Sequence, residues 1–600
     1  MDEKALKNGM HSDVAHAVRN KRILLFEEML RATNFPDMGV VDELRLGSDL
    51  TGEVPLTNML PGKFEPALIS EQELQRSAER VRMAAIHEVR SSGDNDLDEI
   101  VWQKTMEEVD KGWLIGPLHD NQVPADRPLS RRFGLRQKQG KVRLIDDFSE
   151  SGVNACVTVS ESPSLHTVDV ACASLMVWFS LCKGAKISSD LVVRTFDLAS
   201  AYRQVGLSER GQKFAFLRVY NPRTKRACFF KCLVLPFGAV RSVHSFLRLA
   251  RALWWIGVVG CWIVWTSFYD DFISFSRPRL AGSTEQSVTA LFKLLGWIFA
   301  EEGDKAQPFD LHCSALGVLL DLSVASTGVA LVCNTKTRCA ELCDDLQKVI
   351  EGGSLTSKNA QRLRGRMQFA EAQLFGRTGR RCLRVLTDFS EGRRSNLTDK
   401  DKFFLLMFRD MLVANVPREV TALSDGNVVV FTDACYERNH PTWPCGLGGV
   451  ALAEGKTFFF SLEVVEALRL VLGEGEKKQI IFEAETLAAL LSMSVWKTLF
   501  CGKRVILFVD NEGTKFSLLR GVSDNSCVDM MAEAFARIES QLHAMIWIAR
   551  VPSKSNVADP PSRGLTNIPL LDNATDVSDI ARKQLQELVT QIWKVGEKAA

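Results

Sequence analysis

The stretch WIVWTSFYDDFISFS, which runs from Trp262 to Ser276, decides how the chain folds. Two short runs of aromatic and β-branched residues flank Asp270 and Asp271, with no glycine or proline between them. Such runs predict two buried strands, so the two acids are expected at the tip of a tight hairpin. Charges in that setting are costly unless they are paired or bind a metal ion.

A third acid, Asp197, ends another short apolar strand, VVRTFD. Three carboxylates that converge at strand ends can hold two hard cations about 4 Å apart, which suits an in-line phosphoryl transfer. On the pattern alone, ordinary salt-bridged acids explain the three residues equally well. Asp-Asp also occurs at 146–147 and 344–345, where we expect solvated turn or helix-cap acids.

Length and composition limit the class of protein. The 600 residues predict about four domains. The chain is 46% hydrophobic and 24% charged, which excludes a mostly disordered or fibrous protein. The net charge is only +1, so a nucleic-acid partner would have to be held by local basic stripes.

Cysteine usage and hydropathy indicate an intracellular chain. The 15 cysteines form no C-x-x-C pair, which argues against a disulfide framework or a zinc finger and favours reduced thiols. The N-terminal residues show no secretory signal. The apolar run from Leu253 to Trp265 is shorter than the ~20 residues that span a bilayer, and it predicts a buried helix end that leads into a strand. We therefore expect a cytoplasmic or nuclear location and no membrane partner.

A second set of acids follows Asp425-Gly426. Asp433 ends the strand NVVVFTD, and Glu485 lies near the start of the helix FEAETLAALLSMSVW. Asp510 ends the continuous apolar strand RVILFVDN. Asp559 lies at a loop–helix boundary in VPSKSNVADPPSRG. Taken singly, each acid is explained as a helix cap or a loop residue.

A basic stripe lies between the two sets of acids. Residues 358–394 contain ten basic side chains and three acidic ones. A solvated charged helix is the ordinary interpretation of such a run. In a nearly neutral chain, however, the stripe predicts a surface that tracks phosphates in a salt-sensitive, sequence-independent way. The residues expected to bind nucleic acid are Arg362, Arg366, Arg377, Arg380, Arg381 and Arg384.

Six segments resemble, in order, the motifs of retroelement reverse transcriptases. FDLASAY, LPFGAVRSVHSF and SFYDDF are similar to motifs A, B and C. GKVRLIDDFSESGVN precedes them and resembles the fingers segment, and LGWIFAEEGDK and ALGVLLDL follow them. The resemblance covers about 200 residues. It implies a right-hand polymerase whose metal ligands are Asp197, Asp270 and Asp271.

The resemblance also implies nucleotide-binding positions. Tyr202 matches the residue that screens the sugar 2′ carbon, which would favour dNTPs over rNTPs. Arg143, and more loosely Lys141, match the cations that grip the triphosphate. Lys305 matches the lysine near the pyrophosphate leaving group. The full set of matching residues is Lys141, Arg143, Tyr202, Phe237, Gly238 and Lys305.

The four later acids resemble the D-E-D-D set of an RNase H domain over about 140 residues. The E-x-x-A pattern favours Glu485 over Glu483. The resemblance implies hydrolysis of RNA in an RNA·DNA hybrid with two Mg²⁺ or Mn²⁺ ions per active site. Ser553-Lys554-Ser555 stands where some relatives carry a histidine, so slow turnover is expected. There is no long basic insertion, so this domain is expected to depend on the polymerase to grip its substrate.

The sequence therefore predicts a multidomain α+β and α/β protein, a right-hand polymerase followed by an RNase H-like domain. The expected segments are an N-terminal helical region (1–104), fingers and palm (105–325), a thumb and connection (326–424), an RNase H-like domain (425–566) and a C-terminal helical tail (567–600). The sequence does not indicate the role of the first and last segments or the oligomeric state.

The resemblance implies an RNA-directed DNA polymerase and ribonuclease H of a Ty3-like or, by preference, DIRS-like retrotransposon. Its partners would be an RNA template, a DNA primer, the RNA·DNA hybrid and dNTPs, with an integrating enzyme supplied from elsewhere. One alternative is an inactive, domesticated copy that only binds nucleic acid, although all seven carboxylates are present. Another is a nuclease with a scaffold palm, which the presence of Tyr202 and Arg143 disfavours.

Overall fold

The computed structural model describes residues 2–137, 140–303, 305–374, 377–422, 427–474, 478–542 and 544–599. The chain divides into two compact units, Met1–Leu316 with Asp321–Gly328, and Gly317–Leu320 with Val329–Ala600. Both units mix helices and strands, as the sequence predicts. The boundary expected between 424 and 425, and residue 304 of the lysine-bearing motif, lie outside the described residues.

The first unit contains ten described helices and twelve described strands. The helices are α1 (Glu3–Asn8), α2 (Ser12–Ala17), α3 (Ile23–Ala32), α4 (Val40–Arg45), α5 (Glu71–His87), α6 (Asn95–Asp110), α7 (Val168–Ala185), α8 (Glu209–Gln212), α9 (Val240–Trp255) and α10 (Ala281–Leu295). The strands are β1 (Gly52–Glu53), β2 (Gly62–Glu65), β3 (Leu114–Leu118), β4 (Leu129–Arg136), β5 (Val142–Asp147), β6 (Val157–Glu161), β7 (Val192–Asp197), β8 (Phe216–Asn221), β9 (Arg226–Cys232), β10 (Val264–Phe268), β11 (Asp271–Ser276) and β12 (His312–Ala315).

Three sheets organise the first unit. A five-stranded sheet has the order β3-β9-β8-β4-β5, and two three-stranded sheets have the orders β10-β11-β7 and β1-β6-β2. The predicted hairpin is present: β10 and β11 pair antiparallel, with Phe268 opposite Asp271 and two residues between them. The run from Leu253 also agrees with the prediction, because α9 ends at Trp255 and β10 follows after one π-helical turn.

The N-terminal helices belong to the core of the first unit. Phe26 and Leu30 of α3 are buried in the same cluster as Phe272 of β11. Lys21 is also buried, and its Nζ donates to Gln204 Oε1 (2.7 Å) and to the carbonyl of Gly296 (2.9 Å). The Gln204 side-chain amide in turn donates to the carbonyl of Ala199 (2.8 Å). A region in which the sequence shows no chemistry therefore supports the loop that follows Asp197.

A buried four-charge lattice ties α6 and the five-stranded sheet to the loop that carries Tyr202. Arg132 Nε donates to Asp146 Oδ1 (2.6 Å), and its Nη1 donates to Glu108 Oε2 (2.8 Å). Arg203 Nη2 donates to Glu108 Oε1 (3.0 Å). Asp146 is only 2% exposed, so the expectation of a solvated acid at this position is wrong. A buried carboxylate is stable here because two guanidinium groups neutralise it.

Helix α7 is long and apolar enough to cross a membrane, by length and composition only (18 residues, mean hydropathy 1.4). One such helix is weak evidence, because core helices of soluble proteins have the same properties. In this structure one stripe of α7, which includes Val168, Leu175 and Phe179, is buried against the first unit. That spacing is typical of a helix that packs on a core with one face.

The second unit contains nine described strands and eleven described helices. The strands are β13 (Val318–Asp321), β14 (Val329–Asn334), β15 (Arg418–Thr421), β16 (Asn427–Tyr436), β17 (Cys445–Ala453), β18 (Lys456–Glu463), β19 (Arg504–Val509), β20 (Met545–Arg550) and β21 (Thr575–Asp576). The helices are α11 (Lys336–Gly352), α12 (Ser357–Glu371), α13 (Thr378–Ser390), α14 (Asp399–Ala414), α15 (Glu466–Val471), α16 (Ile481–Val495), α17 (Lys497–Phe500), α18 (Glu512–Arg520), α19 (Ser526–Leu542), α20 (Asp559–Ser562) and α21 (Ser578–Ala599).

A six-stranded sheet, β20-β19-β16-β17-β18-β21, forms the centre of the second unit. β16 runs parallel to β19 and antiparallel to β17, and β19 runs parallel to β20. Helix α16 is buried almost along its whole length against this sheet. Asp510 directly follows β19, and Asp433 lies just beyond the last residue of β16 that pairs with β19, so the two acids come together. The expectation that Asp433 ends its strand is wrong, because β16 continues to Tyr436 in its pairing with β17.

The segment expected as a separate tail is part of the sheet and of its core. β21 pairs with β18, and four apolar side chains of α21 lie in the core cluster of the second unit. These residues are Ala581, Leu585, Leu588 and Ile592. Only one face of α21 is buried, so its apolar stripe is not evident from the polar overall composition of the helix.

We expect Leu588→Ala to destabilise the second unit by about 2–4 kcal/mol, because it removes a side chain that is 4% exposed from the core. Ile580 on the same helix is 55% exposed, so Ile580→Ala should change the stability by less than about 0.5 kcal/mol. Thermal and denaturant unfolding of the two variants measures the difference. Equal effects would show that α21 is not part of the core.

Candidate active sites

The first carboxylate site (Asp197, Asp270 and Asp271) lies at the end of the three-stranded sheet β10-β11-β7. β7 and β11 pair antiparallel with Asp197 directly opposite Asp271. Asp270 belongs to the two-residue loop of the hairpin, and its carbonyl accepts the N–H of Leu198 (3.0 Å). Tyr269 takes the left-handed conformation (φ 52°) that closes this short loop. The backbone thus places the three acidic residues next to one another, but their ligand oxygens do not all lie within 4.8 Å of one another.

Burial and mutual repulsion disfavour ionisation of this site. The pKa of Asp271 is raised to about 7, chiefly by desolvation and then by the charges of Asp270 and Asp197. Desolvation is also the main cause that raises the pKa of Asp270. A divalent cation would relieve both effects, since it supplies positive charge between the carboxylates.

Lys305 supplies part of that charge within the chain. Its Nζ lies 2.5 Å from Asp197 Oδ2, although two thirds of the lysine side chain is exposed. The sequence resemblance places this lysine near the leaving group instead. In this structure Lys305 Nζ contacts Asp197 Oδ2, an oxygen that a metal ion would use as a ligand. Metal binding and this ion pair therefore compete for Asp197.

Three of the residues expected to bind the nucleotide, Arg143, Tyr202 and Phe237, lie together. The Tyr202 ring is buried and stacks on Phe246, with ring centroids 4.7 Å apart, and Phe237 lies against it at the same distance. Arg143 is exposed, and its guanidinium carbon is 5.9 Å from the centre of the Phe237 ring. The structure therefore brings Arg143, Phe237 and Tyr202 together, while Lys141 lies exposed just before β5.

Gly238 allows the loop that carries Phe237 to approach β5. The residue has φ 93°, and a Cβ there would lie 2.1 Å from the carbonyl oxygen of Asp146. Asn154 joins the two segments, because its Nδ2 donates to the carbonyl of Gly238 (3.0 Å) and its Oδ1 accepts the N–H of Val240 (2.9 Å). The sequence motif contains Asn154, but its type alone does not reveal this clamp.

The second carboxylate site (Asp433, Glu485 and Asp510) is more compact. One ligand oxygen from each side chain lies within 4.8 Å of the other two. Among the described residues, this is the one group of three or more acidic, histidine or cysteine side chains that close. Asp433 and Glu485 are buried, and Asp510 directly follows β19.

The donors around the second carboxylate site fit a cation. Ser562 Oγ donates to Asp433 Oδ2 (2.7 Å), and Asn556 Nδ2 donates to Asp433 Oδ1 (3.1 Å). Glu485 Oε2 is buried without a hydrogen-bond partner among the described residues. Desolvation raises the pKa of Asp433 to about 7 and raises that of Glu485 well above its usual value. Hard oxygen ligands with an unsatisfied buried oxygen suit Mg²⁺ or Mn²⁺.

The other two acids near this site have different surroundings. Asp559 is paired with Arg563 (Nε–Oδ1 3.0 Å), and its charge contributes to the raised pKa of Asp433. It lies outside the compact group of three. Glu483 accepts a hydrogen bond from Asn525 Nδ2 (2.7 Å) instead of joining Asp433. The residues that hold Asp433 in place, Asn556 and Ser562, flank Asp559 in the sequence but are not evident from spacing alone.

Most of the arginines expected to track phosphate have acidic partners within the second unit. Arg381 is buried and pairs with Asp529 (3.1 Å), and Arg377 pairs with Glu539. The remaining contacts are Arg366 with Glu341 and Asp345, Arg380 with Glu371 and the carbonyl of Leu519, and Arg384 with Asp388 and, at 3.9 Å, Asp524. Arg362 is exposed on α12. Their role in nucleic-acid binding stays a prediction, and the internal pairs hold α13 against α19.

Neutralising Glu485 should stabilise the metal-free protein at pH 8. Because the pKa of Asp433 is raised to about 7 and that of Glu485 is raised well above its usual value, metal-free stability is full below about pH 4 and is lost as the pH rises through these raised pKa values. We expect Glu485→Gln to raise Tm by about 3 °C without metal and to reduce the rise that Mg²⁺ or Mn²⁺ causes in the wild type. Glu483→Gln, two residues away and outside the group, is the control and should raise Tm in neither condition.

Solved structures that are similar to this chain include two of a foamy viral protein. The first, of a foamy viral protease–reverse transcriptase in complex with dsDNA, is 12% identical with a TM-score of 0.43, over 92% of this chain and 96% of that chain. The second, of the dRH form of that protein in complex with ds DNA, is 13% identical with a TM-score of 0.41, over 82% and 83%. No protein-family model and no curated protein matches the sequence. The assignment of function therefore rests on the residues and geometry of the two carboxylate sites.

Proposed function

We propose that the chain is an RNA-directed DNA polymerase with ribonuclease H activity, of the retrotransposon kind. One observation carries the proposal: each unit holds a separate group of acidic side chains, the first at the ends of paired strands and the second on a strand, a helix and a strand end. Each group has the composition that two-metal phosphoryl-transfer sites require. In this proposal the first unit supplies fingers and palm, and the second supplies the thumb, connection and RNase H-like domain, including the helix α21.

Asp197, Asp270 and Asp271 would hold two Mg²⁺ or Mn²⁺ ions in the first unit. Asp433, Glu485 and Asp510, with Asp559 beside them, would hold two in the second. When bound, the ions neutralise charge on the attacking and leaving oxygens of phosphoryl transfer. The raised pKa values and the unpartnered Glu485 Oε2 support this use, since both indicate that positive charge is missing from the sites.

In the polymerase reaction the chain's own residues position the nucleotide. The exposed guanidinium of Arg143, beside Phe237, is available to the triphosphate in a planar, bidentate way. Tyr202 is held rigidly between Phe237 and Phe246, so its ring cannot move aside for a 2′-hydroxyl. Lys305 would leave Asp197 when metal binds and would then be free to pair with the leaving pyrophosphate.

In the nuclease reaction the chain holds the acids and the substrate. Ser562 and Asn556 fix the orientation of Asp433 by donating to its two oxygens. The partners of the two sites would be an RNA template, a DNA primer, dNTPs and the RNA·DNA hybrid. The reactions would take place in the cytoplasm or nucleus.

Primer extension on an RNA template, with Mg²⁺ and with Mn²⁺, tests both assignments. Asp270→Asn should lower extension by at least about a thousandfold, because it removes several kcal/mol of charge stabilisation. Asp433→Asn should leave extension intact and leave the template RNA uncut. Hybrid cleavage without extension by the wild type would indicate a nuclease with a scaffold palm. Loss of both activities with retained binding would indicate an inactive, domesticated copy.

Tyr202→Ala should raise the use of rNTPs relative to dNTPs by about tenfold or more, since it removes the ring that would clash with a 2′-hydroxyl. Tyr202→Phe is the matched control, because it keeps the ring between Phe237 and Phe246 and loses only the phenol oxygen. Single-nucleotide insertion kinetics with each nucleotide measure the ratio. An unchanged ratio in the alanine variant would exclude this role for Tyr202.

A further inference from the structure

Lys21 is a cation in the core of the first unit, where only 3% of the residue is exposed. Its Nζ donates to Gln204 Oε1 (2.7 Å) and to the carbonyl of Gly296 (2.9 Å), and lies 3.9 Å from the centre of the Trp297 ring. A buried ammonium group is costly, and burial, followed by the charge of Lys7, lowers the pKa of Lys21 to about 7. A methionine could fill similar space without that cost. What the lysine adds is therefore its hydrogen-bond donors.

Gln204 extends the contact with Lys21 to two segments of the first unit. Its side-chain amide nitrogen donates to the carbonyls of Ala199 and Ile298 (both 2.8 Å). Its Oε1 accepts the N–H of Ile298 (2.9 Å) in addition to Lys21 Nζ. The N–H of Ala199 donates to the same Ile298 carbonyl (3.0 Å). Gln204 thus joins the loop that follows Asp197 to the segment that follows α10.

Lys21 also determines which way the Gln204 amide is turned. A side-chain amide has two donors and two acceptor positions, and all four are used here. An ammonium group can only donate, so it requires the amide oxygen to face it and directs the amide nitrogen towards the two carbonyls. Without Lys21 one acceptor position of Oε1 and the carbonyl of Gly296 lose their donor. The amide is then held less firmly.

The loop that Gln204 fixes carries Tyr202. Both residues belong to one 3₁₀-helical turn, Ala201–Gln204. The Tyr202 ring stacks on Phe246 of α9, with ring centroids 4.7 Å apart. A ring discriminates against a 2′-hydroxyl only while it keeps its position, since a displacement of about 1 Å can change a rate by about a hundredfold. The position of this turn therefore matters for the choice of nucleotide.

The N-terminal region also holds α9, which carries the other ring of this stack. Arg248, two residues after Phe246, is buried on α9 and donates to both oxygens of Asp37 (2.7 Å and 2.8 Å). It also donates to Glu43 Oε1 (2.6 Å). Asp37 and Glu43 are themselves buried, so these charge-assisted hydrogen bonds are shielded from water. Both sides of the stack between Tyr202 and Phe246 are therefore tied to residues 21–43.

We propose that Lys21 is a positioning residue of the polymerase site: through Gln204 it holds the loop that carries Tyr202, so that the ring can screen the sugar of the incoming nucleotide. The proposal rests on the polymerase half of the proposed function. It gives the N-terminal region a part in nucleotide selection that is exerted through hydrogen bonds within the first unit and not through contact with the nucleotide.

A double-mutant cycle in the full chain tests the proposal. Lys21→Met removes the donors, and Gln204→Met removes the amide. Each variant should raise the use of rNTPs relative to dNTPs about threefold or more, measured by single-nucleotide insertion kinetics. Because Lys21 acts through Gln204, the double variant should have a ratio no higher than that of Gln204→Met. Independent effects would multiply to about ninefold or more.

Arg22→Met is the matched control, because Arg22 is the neighbouring cation and its side chain is exposed. It should leave the ratio unchanged. Hydrogen exchange of residues 198–206 measures the loop directly, and we expect it to be about tenfold faster in Lys21→Met and unchanged in Arg22→Met. The Tm of Lys21→Met should stay within about 3 °C of the wild type, since removal of a buried ammonium offsets the lost hydrogen bonds. If Lys21→Met does not fold, Lys21→Gln, which removes the charge and keeps a polar group, is measured with the same expected results.

Failure of this proposal differs from failure of the proposed function. If the wild type inserts dNTPs, an unchanged ratio in Lys21→Met would overturn the proposal even with faster exchange, because Lys21 would then support the fold alone. Effects that multiply in the double variant would overturn the route through Gln204. If the wild type inserts no nucleotide, the polymerase assignment fails and hydrogen exchange decides. Faster exchange in Lys21→Met would support its hold on the loop, and equal exchange would overturn it.

Discussion

Carboxylates held close together in buried or half-buried settings are the constraint on which the rest of this structure depends. Asp197 faces Asp271 across two antiparallel strands, and Asp433, Glu485 and Asp510 lie within 4.8 Å of one another. Like charges in a poorly hydrated setting raise each other's pKa and oppose folding of the ionised chain. The carboxylates stay close together because the backbone of the strands and of the helix that carry them fixes their positions. Paired strands fix the first group, and a strand, a helix and a strand end fix the second.

A neighbouring cation and neighbouring hydrogen-bond donors reduce the energetic cost of holding these carboxylates together. Lys305 covers one oxygen of Asp197, and Ser562 and Asn556 donate to both oxygens of Asp433. Elsewhere the chain pairs its charges internally, as in the lattice of Arg132 and Arg203 with the buried Asp146 and the half-buried Glu108.

Features that depend on a few neighbouring residues were predictable from the sequence. The hairpin around Asp270, the helix that carries Glu485 and the strand that ends at Asp510 follow from local apolar periodicity, and the structure contains all three. Long-range pairing was not predictable. Arg381 finds Asp529 148 residues away, so a count of local charge overstated how many arginines face solvent. The prediction of a solvated acid at Asp146 is wrong for the same reason, because its partner Arg132 lies on another strand.

The position of α21 in the core of the second unit has a consequence for how the protein is made. The first unit is complete in sequence by Gly328, whereas the six-stranded sheet needs β21 and its core needs α21. Domains fold as units during synthesis, the N-terminal one first. The nascent second unit must therefore wait, with the apolar face of α16 partly uncovered, until its last helix leaves the ribosome. The site in the first unit can form as soon as that unit has been synthesised, and the site in the second unit can be completed only once α21 is available.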